Sequence, residues 1–189
     1  MIDIPSPAIA IVGRHNSGKT TLIERLIAEL VARGLDVGSI KHHSHRGFDI
    51  DHPGKDSYRH RAAGASETVI AAPGQVARVK TIEGEMECSD LVRSMPGHDI
   101  VVVEGYRKSG LPTIEIMRQA NAADAHTAEV LLAAARAGEP LGADHAQLGR
   151  AEGEVQGEGP FAVDEREKMP TAATVAVATD IPAAREAAA

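Results

Sequence analysis

The chain has 189 residues and a formal charge of −7, with 43% hydrophobic but only 2% aromatic residues. That length suits one well-buried domain with appendages, and so few aromatics call for an aliphatic core such as a helix-covered parallel sheet. Ten acids against three arginines between Asp124 and Glu167 account for the whole charge imbalance, so no nucleic-acid surface is expected, and no 18-residue apolar stretch offers a membrane span.

In chain order, Met1 to Pro5 has neither the basic start nor the apolar run of a signal peptide. The apolar run Ala8-Ile9-Ala10-Ile11-Val12 reads as a buried strand. It leads into Gly13-Arg14-His15-Asn16-Ser17-Gly18-Lys19-Thr20-Thr21, of which Gly13 to Thr20 fit G-x-x-x-x-G-K-T. A helical pattern follows, with Leu22, Ile23, Leu26, Ile27, Leu30 and Val31 at i, i+3, i+4, i+7 spacing. Strand, glycine loop and helix in this order make a phosphate-binding P-loop. Glycine lets the backbone turn its N–H groups inward, and the helix N-terminus adds the positive end of its dipole. Lys19 is then expected on the terminal phosphates of a nucleoside triphosphate, and the Thr20 hydroxyl on a magnesium ion.

Gly34 stops that helix, and Val37 to Ile40 is a second short strand ending in Lys41. The polar segment from Lys41 to Arg61 gathers His42, His43, His45, His52 and His60 with Lys41, Arg46, Lys55, Arg59 and Arg61, plus Asp49, Asp51 and Asp56. Imidazole and carboxylate suit zinc or nickel, but these histidines lack the spacing of a closed ligand set. Mixed Lys, Arg and His donors also suit a rim for an anionic ligand. Lys41, His42, Asp49, Asp51 and Lys55 are carried forward as ligand-binding candidates, Asp49 and Asp51 through magnesium. A helix is expected over Asp56 to Ala63, then a strand over Glu67 to Ala72. Gln75 to Ile82 alternates apolar and polar residues and reads as an edge strand with one solvated face.

A modest helix is expected over Glu87 to Met95. It contains the chain's one cysteine, Cys88, which can form no internal disulfide and suits a cytoplasmic protein. The strong strand Ile100 to Val103 ends in Glu104-Gly105. An acid there holds magnesium through water or orients the attacking water, so Glu104 joins Lys19 as a catalytic candidate and Thr20 as a metal candidate. Pro112 to Met117 is another alternating strand. Beyond Gln119 the pattern degrades, apart from an Ala-rich helical run over Thr127 to Ala137. Leu141 to Met169 reads as a loop or disordered insertion with too few large apolar residues to offset its ordering entropy. A last strand runs from Thr174 to Thr179. The fold class is α/β, a P-loop NTPase-like doubly wound, mostly parallel sheet with helices on both faces and an added edge hairpin. Residues 1–118 are the nucleotide-binding core, 119–172 an irregular acidic insertion, and 173–189 the last strand and tail.

Several of these blocks fall in one order: Gly13 to Thr20, Ile40-Lys41-His42, Phe48-Asp49-Ile50-Asp51-His52-Pro53-Gly54-Lys55-Asp56-Ser57-Tyr58-Arg59, Ala63-Gly64-Ala65 and Val103-Glu104-Gly105-Tyr106-Arg107. Together they resemble the molybdopterin-guanine dinucleotide biosynthesis protein B family, over about residues 8 to 118 plus Val175 to Asp180. The D-x-D-x-P-G-K-D-S-Y block is far more specific than the P-loop. The resemblance implies a GTP-binding homodimer with weak magnesium-dependent GTPase activity, cytoplasmic and bound to neither membrane nor nucleic acid. It also implies an adaptor role beside the nucleotidyltransferase that joins GMP to molybdopterin, with molybdopterin as a further candidate ligand. Two other functions fit parts of the pattern. The histidine cluster suits a nickel-type GTPase metallochaperone, and the opening motif a small-molecule kinase, although no Arg-rich lid is evident. Guanine preference follows from the resemblance alone, since no N-K-x-D-type reader is visible and Thr179-Asp180 is a weak substitute.

Overall fold

A computed structural model describes residues 4–43, 51–138 and 173–181. Asp49 and most of the acidic insertion lie outside them. The described chain forms two compact units, one made of the stretches before His43 and after Glu87, the other of His43–Glu87.

The larger unit is built on five parallel strands in the order β2-β5-β1-β6-β7: β1 (Ala8–Gly13), β2 (Val37–Lys41), β5 (Ile100–Glu104), β6 (Thr113–Met117) and β7 (Thr174–Thr179). The central strands are apolar on both faces because both are covered, and successive side chains point to opposite sides. On one face, helix α1 (Lys19–Ala32) sets Ile23 against Ile11, Val102 and Ile116, with Leu22, Leu26, Ile27 and Leu30 packed around them. On the other, helix α3 (Cys88–Arg93) brings Cys88 and Val92 against Ala10, Val12, Val101 and Val103. Helix α4 (Ala122–Arg136) sets Ala128 and Leu131 against Met117 and Ile181 on that same face. Each fully buried Leu or Ile contributes roughly 1.5–3 kcal/mol, so this two-faced aliphatic core replaces the missing aromatics. The sheet is thus parallel with helices on both faces, as the apolar runs predict.

Helix α4 starts earlier than its Ala-rich run suggests. The Asn121 side chain caps it, accepting from the N–H groups of Ala123 at 3.0 Å and Asp124 at 3.2 Å, an arrangement worth about 1 kcal/mol. Strand β6 was expected to alternate between core and solvent. It lies inside the sheet instead, and its Glu115 is 1% exposed.

In the smaller unit, helix α2 (Asp56–Ala62) precedes a hairpin of β3 (Glu67–Ala72) and β4 (Gln75–Lys80). Among the described residues, the hairpin expected at an edge of the main sheet pairs only with itself, from Ala72 opposite Gln75 to Glu67 opposite Lys80. The tight Pro73-Gly74 turn closes it, so every strand position has its register partner within the hairpin. Alternation in β4 therefore reflects a hairpin open to solvent, with Val69, Ile70 and Val76 exposed.

Candidate functional site

In a parallel sheet a ligand site forms at the carboxyl ends of the strands, where the chain leaves a central strand toward opposite sides. Here that strand is β1. Its chain continues through α1 to β2 on one side, and β6 and β7 lie on the other.

The loop after β1 begins at Gly13, where a Cβ would come within 2.6 Å of the Ile116 carbonyl oxygen and 2.8 Å of Ser17 Oγ. No larger residue fits there. Asn16 takes a left-handed conformation (φ 59°), as does Gly18 at the helix N-cap (φ 87°). No side chain caps α1 and no acid stands in its first turn, so the helix N-terminus keeps its N–H groups and positive potential for an anion. The Lys19 ammonium lies along the loop, donating to the carbonyls of Gly13 at 3.1 Å and Arg14 at 2.6 Å. His15, Asn16, Thr20 and Thr21 are exposed, while Ser17 is buried with its hydroxyl unpartnered.

The remaining loop residue behaves differently. Arg14 is 4% exposed and turned away from the loop's open side into the space beneath α4. Its Nη1 donates to Asp124 Oδ1 at 2.5 Å and its Nη2 to Thr127 Oγ1 at 3.0 Å. Asp124, wholly buried, accepts from the Arg118 N–H through its other oxygen at 2.9 Å. Arg107 makes a two-pronged pair with buried Glu115, one contact of 2.6 Å and a shorter one from Nη1 to Oε2. Burial pushes the Glu115 carboxyl above its ordinary range, against the pull of Arg107 and, more weakly, Arg14. Both arginines that flank the catalytic candidates in sequence are therefore engaged by buried carboxylates.

Glu104 ends β5 opposite Ile11 of β1 and Lys41 of β2, at the same end of the sheet as the glycine loop. Lys41 Nζ stands 3.3 Å from each Glu104 oxygen. The lysine is 62% exposed and the glutamate 15%. Behind them the chain turns tightly. Gly105 has φ 92°, and a Cβ on it would lie 2.8 Å from His42 Cβ. His42 stacks on Tyr106 with ring centroids 4.3 Å apart. Gly105 is the one residue type that lets this turn and stack coexist.

The histidine-rich segment is divided between the units. Lys41 and His42 belong to the larger unit, and Asp51, Lys55 and α2 to the smaller one. Lys55, His52 and His60 are exposed. Asp51 is buried and accepts from Ser57 Oγ at 3.0 Å and Arg61 Nη2 at 3.1 Å. Burial opposes its charge, but these hydrogen bonds and the Arg61 charge prevail and hold its pKa below the usual carboxylate range. Its carboxylate thereby anchors α2. Among the described residues no three His, Cys, Asp or Glu side chains converge as a metal site; His45 and Asp49 lie outside them.

A cleft of about 410 Å³ opens beside the α1 N-terminus, lined by Ser17, Gly18 and Thr21 on one side and Arg118, Thr179 and Asp180 on the other. The Gln119 N–H donates to Asp180 Oδ1 at 2.7 Å and Arg118 Nε lies 3.2 Å from Oδ2. These partners keep its pKa low, the Gln119 N–H most of all. The fold thus brings Thr179 and Asp180 to the glycine loop from far along the chain. Arg118, Asp124 and Glu115 were not singled out from sequence, and no local spacing marks them.

The family model for molybdopterin guanine dinucleotide synthesis protein B matches residues 8–136. A molybdopterin-guanine dinucleotide biosynthesis adapter protein of Haemophilus influenzae is 38% identical over 117 residues, which is 60% of this chain and 64% of that protein. The Escherichia coli protein of the same description is 37% identical over 116 residues, 59% of this chain and 66% of the relative. The matched region thus spans just under two thirds of each. Among solved structures, Bacillus subtilis MobB superposes with a TM-score of 0.50 at 32% identity, covering 59% of this chain and 68% of that one.

Proposed function

The chain belongs to the molybdopterin guanine dinucleotide synthesis protein B family, and on that premise we propose that it is a GTP-binding adaptor of molybdenum cofactor synthesis. It assists a nucleotidyltransferase that attaches GMP to molybdopterin, and it hydrolyses GTP slowly. The observation that carries this reading is the uncapped, acid-free N-terminus of α1 beneath a glycine loop, with Lys19 at its root and Glu104 at the end of the neighbouring strand.

The phosphates would rest on the loop N–H groups, with Lys19 moving from the carbonyls of Gly13 and Arg14 to their oxygens. The nucleoside would enter the cleft beyond Gly18. There the Asp180 carboxylate, which only accepts hydrogen bonds, suits the N–H donors of guanine and opposes the bare ring nitrogen of adenine. The donors for magnesium are also suitable. The Thr20 hydroxyl and the Glu104 carboxylate are hard oxygen ligands, the kind Mg²⁺ selects. The ion would supply charge neutralisation for the terminal phosphates, held directly by Thr20 and through water by Glu104, whose present neighbour Lys41 is exposed and able to yield.

Slow turnover fits the engagement of Arg14 and Arg107, the two arginines that flank the catalytic candidates in sequence. A cation on the transferring phosphoryl group contributes about 10³–10⁵ in rate, and Arg14 and Arg107 are held by Asp124 and Glu115. An adaptor needs occupancy more than rate. Family membership favours this role over the metallochaperone and the kinase. It also supports a homodimer, for which the exposed Val69, Ile70 and Val76 of the hairpin offer apolar surface. A cytoplasmic setting agrees with the lack, among the described residues, of any helix long and apolar enough to cross a membrane. The test is single-turnover GTP hydrolysis by the purified protein, beside guanine dinucleotide formation by the transferase with and without it. Slow hydrolysis with a stimulated transferase is expected. Fast unaided hydrolysis, or no effect on the transferase, would overturn the adaptor role.

A further inference from the structure

The second residue of the glycine loop is a buried arginine tied to a helix that begins more than a hundred positions later. Charged residues are almost never fully buried unless paired, and a buried ion pair is a poor way to gain stability, since apolar residues of similar volume often serve as well or better. An orienting role accounts for its presence. We infer that Asp124, on α4, is a positioning residue for the phosphate loop, acting through Arg14. The inference rests on the nucleotide-binding reading of that loop.

Three connections carry it. Arg14 spends both terminal nitrogens on α4, at Asp124 and Thr127, so its side chain is an anchor and not a phosphate ligand. The backbone carbonyl of the same residue accepts from Lys19 Nζ at 2.6 Å and from the Ser17 N–H at 3.3 Å. Whatever fixes Arg14 therefore also fixes the resting place of the lysine and the turn of the loop. Finally, the free oxygen of Asp124 takes the Arg118 N–H at 2.9 Å, and Arg118 lines the cleft beyond Gly18. One carboxylate thus joins the phosphate loop to the far wall of the cleft. Asp124 is itself held, with its own N–H on the Asn121 cap and Thr127 bonded back to the Ala123 carbonyl. Such preorganisation lowers the ordering cost of binding.

The test uses Arg14→Met, Asp124→Leu, the double variant and Asp124→Asn, with Lys19→Ala as control. Urea unfolding reports the fold, and calorimetry reports affinity for GTP and for inorganic tripolyphosphate, which needs no base cleft. The double variant should recover most of the stability lost by either single one, because two apolar side chains replace the pair. Its affinity for both ligands should nevertheless stay down by about tenfold or more, the scale on which outer partners tune a ligating group. Asp124→Asn keeps the volume and a hydrogen bond, and if the double variant does not fold it carries the same expectation of weakened binding in a folded protein. Affinity that recovers with stability would reduce the pair to packing and overturn the inference. So would tighter binding in Asp124→Asn beside weaker binding in Arg14→Met, the pattern of a direct phosphate ligand released. Wild-type affinity in folded Asp124→Asn, with Lys19→Ala still impaired, defeats the inference alone. No binding by wild type defeats the nucleotide reading itself.

Discussion

Two ion pairs stand at the carboxyl end of one parallel sheet. Arg14 and Asp124 are 4% and 0% exposed, whereas Lys41 and Glu104 are 62% and 15% exposed. The first joins a loop to a helix inside the protein, at 2.5 Å and with further hydrogen bonds on both partners. The second joins two strand ends at 3.3 Å where water reaches the lysine. A charge sealed into a low-dielectric interior cannot change partners without a large penalty, while one at the surface can. The buried pair is suited to hold geometry, and the open pair to release Glu104 when a cation or phosphate arrives.

Breaking each pair should expose that difference, and the largest effect belongs to the buried one. Asp124→Leu leaves the Arg14 guanidinium buried without its anion, a change that costs about 3–5 kcal/mol. Urea unfolding against wild type would measure it, and a loss under 1 kcal/mol would show that the pair is not sealed from water. Next in size is Lys19→Ala, which removes charge-assisted bonds worth roughly 1.5–3 kcal/mol from triphosphate binding. Calorimetry should show affinity weakened about tenfold to a hundredfold in a folded variant. Opening the exposed pair with Lys41→Ala should change stability by about 1 kcal/mol or less. If Lys41 restrains Glu104, magnesium-dependent nucleotide binding should also rise in this variant, and a fall would make the lysine a ligand contact instead.

Two buried carboxylates offer a finer comparison through pH. The folded-state pKa of Asp51 is lowered, so its contribution to stability is present above the ordinary value of 3.8 and lost as pH falls through the folded one. That of Glu115 is raised, so its contribution is present below the ordinary value of 4.5 and lost as pH rises through the folded one. The stability difference between wild type and Asp51→Asn should shrink toward acid, and that between wild type and Glu115→Gln should shrink toward neutral pH. Denaturant curves taken between about pH 3 and 7 would reveal the opposite slopes. A slope of the opposite sign for either variant would contradict the placement of that carboxylate.

The same contrast between sealed and open explains what could be read from the sequence. Strands β1 and β5 are unbroken apolar runs, and the glycine loop between β1 and α1 has its own spacing, so the sheet, its first helix and the positions of Lys19, Thr20 and Glu104 were legible. Pairs between distant residues were not. Arg14 reads as one more polar loop residue until Asp124 is folded against it. Glu115 reads as the solvated half of an alternating strand until Arg107 neutralises it inside. Asp51 looked like a magnesium or anion contact because it lies among cations, yet its nearest partners, Ser57 and Arg61, make it an anchor for α2. The hairpin carried the alternation of an edge strand because either arrangement leaves faces in solvent, and period alone does not name the backbone partner. Thr179-Asp180 was a weak candidate by sequence, and the fold sets it beside Gly18.

The central claim, that this loop and cleft hold GTP, is tested most directly by displacing a fluorescent GTP analogue with GTP or ATP, with and without magnesium. GTP should compete far better than ATP, and magnesium should tighten its binding in wild type but much less in Thr20→Ala or Glu104→Gln. Absence of analogue binding, or equal displacement by the two nucleotides whatever the magnesium, would contradict the account.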